Sequence, residues 1–138
     1  MLRSIFAASI VIICLGSANS APAQNREGTY VYSIGDNASG EIKISTVDIR
    51  SFKFRIGIGS NNPACVGEFS NRAYWIAPNV AESQFSIHNN HSCRLIFVFS
   101  GNALVVKECE CGNFHGASCD FEGTYSRTLR SAKSRKRP

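Results

Sequence analysis

The chain contains no apolar run long enough to cross a bilayer as a helix. Its most apolar stretch, Ile5 to Leu15, falls short of the roughly twenty residues that a helical span requires. No segment sustains a helical period of apolar residues, which argues against a helical bundle. Histidine is scarce, with three in 138 residues. There is no Gly-x-Ser-x-Gly elbow, no His-Glu-x-x-His and no glycine-rich phosphate loop, so the common hydrolase, metalloprotease and nucleotide-binding signatures are absent. The ten acidic residues fall mostly at outward strand positions or in turns, which reads as a solvated surface rather than a glycosidase carboxylate pair. The expectation is a non-enzymatic protein that uses no cofactor and no metal.

What is present begins with an export signal. Arg3 is the only charge in the first 25 residues, and the apolar run is followed by Ser17-Ala18-Asn19-Ser20-Ala21-Pro22-Ala23. A basic start, an apolar centre and small residues at an Ala-x-Ala-like site make a secretory leader. Cleavage is expected after Ala23, with Ser20 as the other choice. Cys14 is then lost, because Ile13 stands where a lipoprotein signal wants a small residue. The organisation expected is a leader over 1–23, one β domain over 24–127 and a basic, disordered tail over 128–138. Export implies periplasmic or secreted localisation and no integral membrane segment after cleavage.

Charge divides the same way. Residues 24–126 hold eight basic and ten acidic side chains, so the body is mildly acidic. After Glu122 no acid occurs, while Arg127, Arg130, Lys133, Arg135, Lys136 and Arg137 follow. Such a block contacts polyanions in many proteins, and Arg130, Lys133, Arg135, Lys136 and Arg137 are the candidate polyanion-binding residues.

The body reads as all-β. Phe52, Phe54, Ile56 and Ile58 alternate with Lys53, Arg55, Gly57 and Gly59, the pattern of a half-buried strand. Strands are likewise expected over Gly28–Ser33, Glu41–Ser45, Cys65–Phe69, Ala73–Ala77, Gln84–His88, Cys93–Phe99, Ala103–Lys107 and Cys119–Arg127. The alternation slips near Thr46, which predicts a bulge or turn there. Asn71 is expected to turn the chain, and Pro78 to Ser83 is the one place for a short helical turn. Gly101-Asn102 is expected to form a two-residue hairpin loop, with Leu104 opposite Phe99 and Val106 opposite Phe97. About eight short antiparallel strands forming a small, disulfide-stapled barrel or sandwich follow. Glu27-Gly28-Thr29-Tyr30 and Glu122-Gly123-Thr124-Tyr125 are the same tetrapeptide. Their position at the two ends predicts that first and last strands pair and remove both free edges.

Five cysteines remain after cleavage, and an oxidising compartment favours disulfides. Cys109-x-Cys111-x3-His115-x3-Cys119 holds four zinc-type ligands, but not at finger or ribbon spacing, and a thioredoxin-like βαβ frame is missing. Disulfides are therefore expected: Cys65 pairs with Cys93, and Cys119 pairs with Cys109 or Cys111, with Cys111 preferred, so that Cys65, Cys93, Cys111 and Cys119 are the expected bonded set. Cys109 is left as the odd thiol, able to join two chains as a dimer. Tyr74 and Trp75 must face opposite sides of a strand, with core or edge packing favoured for the pair. Asn37-Ala38-Ser39 and Asn90-His91-Ser92 match the glycosylation sequon.

The run Cys65-x-Gly67-Glu68, Cys93-Arg94-Leu95-x-Phe97-x-Phe99, Cys111-x3-His115-Gly116 and Phe121-x-Gly123-x-Tyr125 resembles small exported bacterial β-domains, several of them grouped with lysozyme inhibitors. The resemblance covers about residues 27–127. It implies a non-enzymatic β-barrel that binds a protein partner, a lysozyme-type cell-wall hydrolase. The serine-glycine-rich and tyrosine-rich inhibitory loops of c-type lysozyme inhibitors have no counterpart here, so the resemblance assigns no inhibitory residue. The candidate partner-binding loop is Asn89-Asn90-His91. The alternative function is a periplasmic or surface module that binds anionic envelope polymer through its basic tail.

Overall fold

A computed structural model of the chain describes residues 25–35, 37–87 and 91–129. Eight strands run in chain order around a closed antiparallel barrel. They are β1 (Gly28–Ile34), β2 (Ala38–Ser45), β3 (Ser51–Asn61), β4 (Ala64–Ala77), β5 (Val80–Ile87), β6 (His91–Ser100), β7 (Ala103–Cys109) and β8 (Gly123–Arg127). Each strand meets its sequence neighbour antiparallel, through short connections except between β7 and β8. The expected closure is present: β1 pairs with β8 through Tyr30↔Arg127 and Val31↔Ser126.

The interior is built by the alternation read in the sequence. Phe52, Phe54, Phe97 and Phe99 point inward from β3 and β6 and pack ring on ring, with centroids 4.8–5.7 Å apart between the two strands. Burying each such ring contributes roughly 1.5–3 kcal/mol. The β6–β7 register places Leu104 opposite Phe99 and Val106 opposite Phe97. Gly101 takes φ 58° in the hairpin loop, as expected. The slip at Thr46 is a loop, and Thr46 itself has φ 52°.

Three expectations are corrected. Pro78 to Ser83 forms no helical turn: β5 starts at Val80, with Ala81 and Ser83 buried. The inward residues at its start, Ala81 and Ser83, are small or polar, which hides the apolar period there. Asn71 does not turn the chain, because Cys65–Phe69 and Ala73–Ala77 are parts of one strand, β4. Its side chain instead bonds Ser83 Oγ at 3.1 Å across to β5. The last strand starts at Gly123 rather than Cys119.

The residues before β8 act instead as a strap. The strap covers 110–122 and lies along the first half of β4. Glu68 donates its N–H to the Phe114 carbonyl at 3.2 Å, and Gly116 donates to the Val66 carbonyl at 3.2 Å. Registered β4–β5 pairing extends only from Ala77 to Tyr74 on β4, and the strap occupies ladder positions beyond it. Phe114 packs on Phe69 and Phe85, and Cys111 and Phe121 are buried.

The strap explains why the disulfides differ from the expected pairing. The bonds are Cys65–Cys119 and Cys93–Cys111. Cys65 and Cys93 lie on strands separated by β5, so they do not bond each other. The strap passes between them and gives one cysteine to each. The same four cysteines are bonded, and Cys109 is the free, exposed thiol. Two intramolecular disulfides point to an oxidising, exported environment. Among the described residues no helix is long and apolar enough to cross a membrane.

Candidate functional site

The hairpins divide the barrel into two ends. At one end lie the strand ends where β1 leads to β2, β3 to β4 and β5 to β6, together with the strap. The opposite end carries the 46–50 loop and the β4–β5 and β6–β7 turns.

The 46–50 loop is braced from several directions. Thr46 stands in the left-handed region at φ 52°, an uncommon position for a β-branched residue. The Val47 N–H donates to Glu27 Oε1 at 3.0 Å. Asp48 Oδ1 accepts from the N–H groups of Arg50 at 2.7 Å and Ser51 at 2.8 Å. These two donors hold the Asp48 carboxyl below the usual carboxylate range. Arg72 lies 3.8 Å from the same carboxylate and donates to Ser51 Oγ at 2.7 Å. Trp75 clamps the loop twice, through its indole N–H to the Asp48 carbonyl at 3.1 Å and its backbone N–H to the Arg50 carbonyl at 3.0 Å. The Trp75 ring packs on Phe52 and Phe99, while the Arg26 guanidinium covers it at 4.5 Å. The loop is thereby fixed to the core.

At its tip Ile49 is 93% exposed, the most exposed large apolar side chain among the described residues. Arg50 contributes its backbone to the bracing, and its side chain is exposed. Tyr74 and Ile76 stand beside the loop on the outward face of β4, both more than half exposed. The pair Tyr74 and Trp75 therefore separates: Trp75 packs and Tyr74 faces solvent. An apolar tip with a neighbouring guanidinium, on a loop whose shape is already set, can enter a cleft at low entropic cost.

The cysteine-rich stretch offers no comparable site. Cys111 and Cys119 belong to two different disulfides, so they do not converge with His115. His115 is a brace: Nδ1 faces the Gly116 carbonyl at 2.8 Å and Nε2 faces Glu108 Oε1 at 3.0 Å. The second Glu108 oxygen accepts the Phe121 N–H at 2.6 Å. Both ring nitrogens thus face acceptors within the chain. Among the described residues no three His, Cys, Asp or Glu side chains converge as a metal site.

Of the expected partner-binding loop, His91 opens β6 and is exposed, while Asn89 and Asn90 lie outside the described residues. The leader over 1–23 and the tail residues Arg130, Lys133, Arg135, Lys136 and Arg137 lie outside them as well. The 46–50 loop was visible in the sequence only as the phase slip at Thr46. Comparison with known proteins finds no matching family model, no matching curated protein and no matching solved structure.

Proposed function

We propose that this chain is an exported, non-enzymatic binding protein that inserts its 46–50 loop into the cleft of a lysozyme-type cell-wall hydrolase. One observation carries the reading: a loop braced through Asp48, Glu27 and Trp75 presents a nearly fully exposed isoleucine. Ile49 would fill an apolar subsite, and Arg50 would face the carboxylates that such a cleft uses for catalysis. Tyr74 and Ile76 would seal the contact around them. The resemblance in the cysteine and aromatic runs supports the same class of partner.

The test is inhibition of a panel of muramidases by the purified protein, with Ile49→Ala, Arg50→Ala and Tyr74→Ala beside it. At least about tenfold weaker inhibition with unchanged thermal stability is expected for Ile49→Ala, as for a central anchor. Absence of inhibition of every muramidase at micromolar concentration refutes the lysozyme-type partner. The alternative is binding of anionic polymer through the basic tail, favoured by the run of cations after Glu122. It predicts salt-sensitive binding that deletion of 128–138 removes and Ile49→Ala leaves intact.

A further inference from the structure

A pocket of about 400 Å³ opens at the same end of the barrel as the 46–50 loop. It lies between the residues that lead into β1, the β6–β7 turn and the end of β8. The buried rings of Tyr30 and Phe99 close it on the core side. Arg26 and Arg127 stand on its wall with Asn25 and Asn102. The lining holds two bases and no acid.

Neither guanidinium pairs with a carboxylate among the described residues. Arg55, Arg72 and Arg94 each do, at 2.7, 3.8 and 2.7 Å. Arg26 instead donates through Nη2 to neutral acceptors, the Pro78 carbonyl at 2.7 Å and Asn79 Oδ1 at 2.6 Å. Its Nε is buried and has no partner. Its flat face lies 4.5 Å from the Trp75 ring and 5.1 Å from the Phe99 ring. Arg127 donates through Nη2 to the Glu27 carbonyl and lies 6.0 Å from the Tyr30 ring. The Glu27 carboxylate accepts the Val47 N–H at 3.0 Å. A guanidinium drawn partly out of water with no opposite charge is costly, and an anion between the two relieves both.

The two positive fields meet at Tyr30. Burial raises its phenol, while the charges of Arg127 and Arg26 each pull it down. The phenol donates to the Arg26 carbonyl at 3.1 Å, so its proton is already placed. Two guanidiniums and two side-chain amides match a dianionic group that accepts through several oxygens. A phosphate monoester is such a group at neutral pH, whereas a carboxylate brings one charge. The volume is near the lower end for small-molecule sites and admits the phosphate with a small body attached. We propose that this pocket binds a phosphate monoester, its oxygens held between Arg26 and Arg127 with the Asn25 and Asn102 amides at the rim. Phosphate binding here does not depend on what the 46–50 loop contacts.

Trp75 is the sole tryptophan and lies against Arg26, so its emission reports occupancy. The mature protein is titrated with sodium phosphate from about 0.1 to about 50 mM, with ionic strength held constant by chloride. At about pH 7.5, where phosphate is mostly dianionic, a saturable change with millimolar affinity is expected. Sodium acetate should bind at least about tenfold more weakly. Arg127→Gln leaves the Arg26–Trp75 stack in place and should weaken phosphate at least about tenfold. Asn102→Asp keeps a residue suited to the hairpin loop and should abolish the response by setting a negative charge at the rim. No response beyond that to chloride, equal affinity for acetate, or a response unchanged in both variants overturns the proposal. A response that deletion of 130–138 removes overturns it as well, because the anion would then sit on the tail.

Discussion

Tyr30 and Tyr125 make the same hydrogen bond from opposite ends of the chain. The Tyr30 phenol donates to the Arg26 carbonyl at 3.1 Å, and the Tyr125 phenol donates to the Phe121 carbonyl at 2.9 Å. Each tyrosine closes one copy of Glu-Gly-Thr-Tyr, points into the barrel and ties back the segment four residues before it. The copies lie on β1 and β8, which pair to complete the barrel. Glu27 and Glu122 also brace, on Val47 N–H and on Lys107. The repeat is therefore one corner used twice, once to enter the barrel and once to finish it.

Removing the buried phenol should destabilise the protein. Tyr125→Phe leaves the Phe121 carbonyl without this donor and is expected to cost about 1–2 kcal/mol. Tyr30→Phe should cost less, near 0.5–1 kcal/mol, because its bond is only partly buried. Urea unfolding of the two variants gives the comparison. Equal, negligible effects would remove the corner from the account of closure.

Alkali should unfold the protein through the same residues. Burial raises the Tyr125 phenol well above its ordinary value, and raises Tyr30 and Tyr32 in the same direction. A raised folded value means that the unfolded chain loses these protons first. The stabilisation is complete below about pH 10, the unfolded value. It is lost as pH rises through that value towards the folded ones. Melting temperature from pH 8 to 12 should fall steeply beyond about pH 10, and less steeply in Tyr125→Phe. Phenolate absorbance should appear together with unfolding; full ionisation in the folded protein would contradict this.

Non-reducing peptide mapping should recover Cys65 with Cys119 and Cys93 with Cys111. Breaking either bond by Cys65→Ser or Cys93→Ser is expected to cost about 2–5 kcal/mol. Under mild oxidation the exposed Cys109 should yield a covalent dimer on non-reducing gels, and Cys109→Ser should not. Peptides joining Cys65 to Cys93 would overturn the strap as described.

Gly67 marks where the strap meets β4. A Cβ there would lie 2.3 Å from the His115 Cβ, whereas at Gly112 it would meet nothing within 4 Å. Gly67→Ala should therefore cost about 1–3 kcal/mol by overpacking, and Gly112→Ala should be close to neutral. Thermal melts of the two proteins suffice, and a neutral Gly67→Ala would deny the close approach.

Acid should loosen the 46–50 loop. The Asp48 carboxyl is held low by the N–H groups of Arg50 and Ser51. Its contribution is present above the unfolded value near pH 4 and is lost as pH falls through the lower folded one. Trp75 donates to the Asp48 carbonyl, so its fluorescence reports the loop. Titration towards about pH 2 should shift the emission, and Asp48→Asn should show the shifted emission already at neutral pH. Identical titrations for the two proteins would mean that Asp48 does not brace the loop.

Alternation alone identified most of the barrel. Phe52 to Ile58 and Cys93 to Phe99 carry large apolar residues at every second position, and such patterns survive any packing that buries one face. The tetrapeptide repeat identified the closing strands, because it stands at both ends of the β region. Only the start of strand β5 was hidden, since its inward Ala81 and Ser83 are small or polar and leave no hydrophobic period, while its second half from Gln84 was expected as strand. The candidate site was barely legible. The braces of the 46–50 loop come from Glu27, Arg72 and Trp75, which are distant in sequence and meet only in the folded barrel. The leader and the odd cysteine count indicated that disulfides form and that one thiol is left over. Only the tertiary structure decided how, because the strap passes between β4 and β6 and brings Cys119 to Cys65 and Cys111 to Cys93. Disulfide pairing depends on where backbone segments meet in space, and spacing along the chain does not encode that.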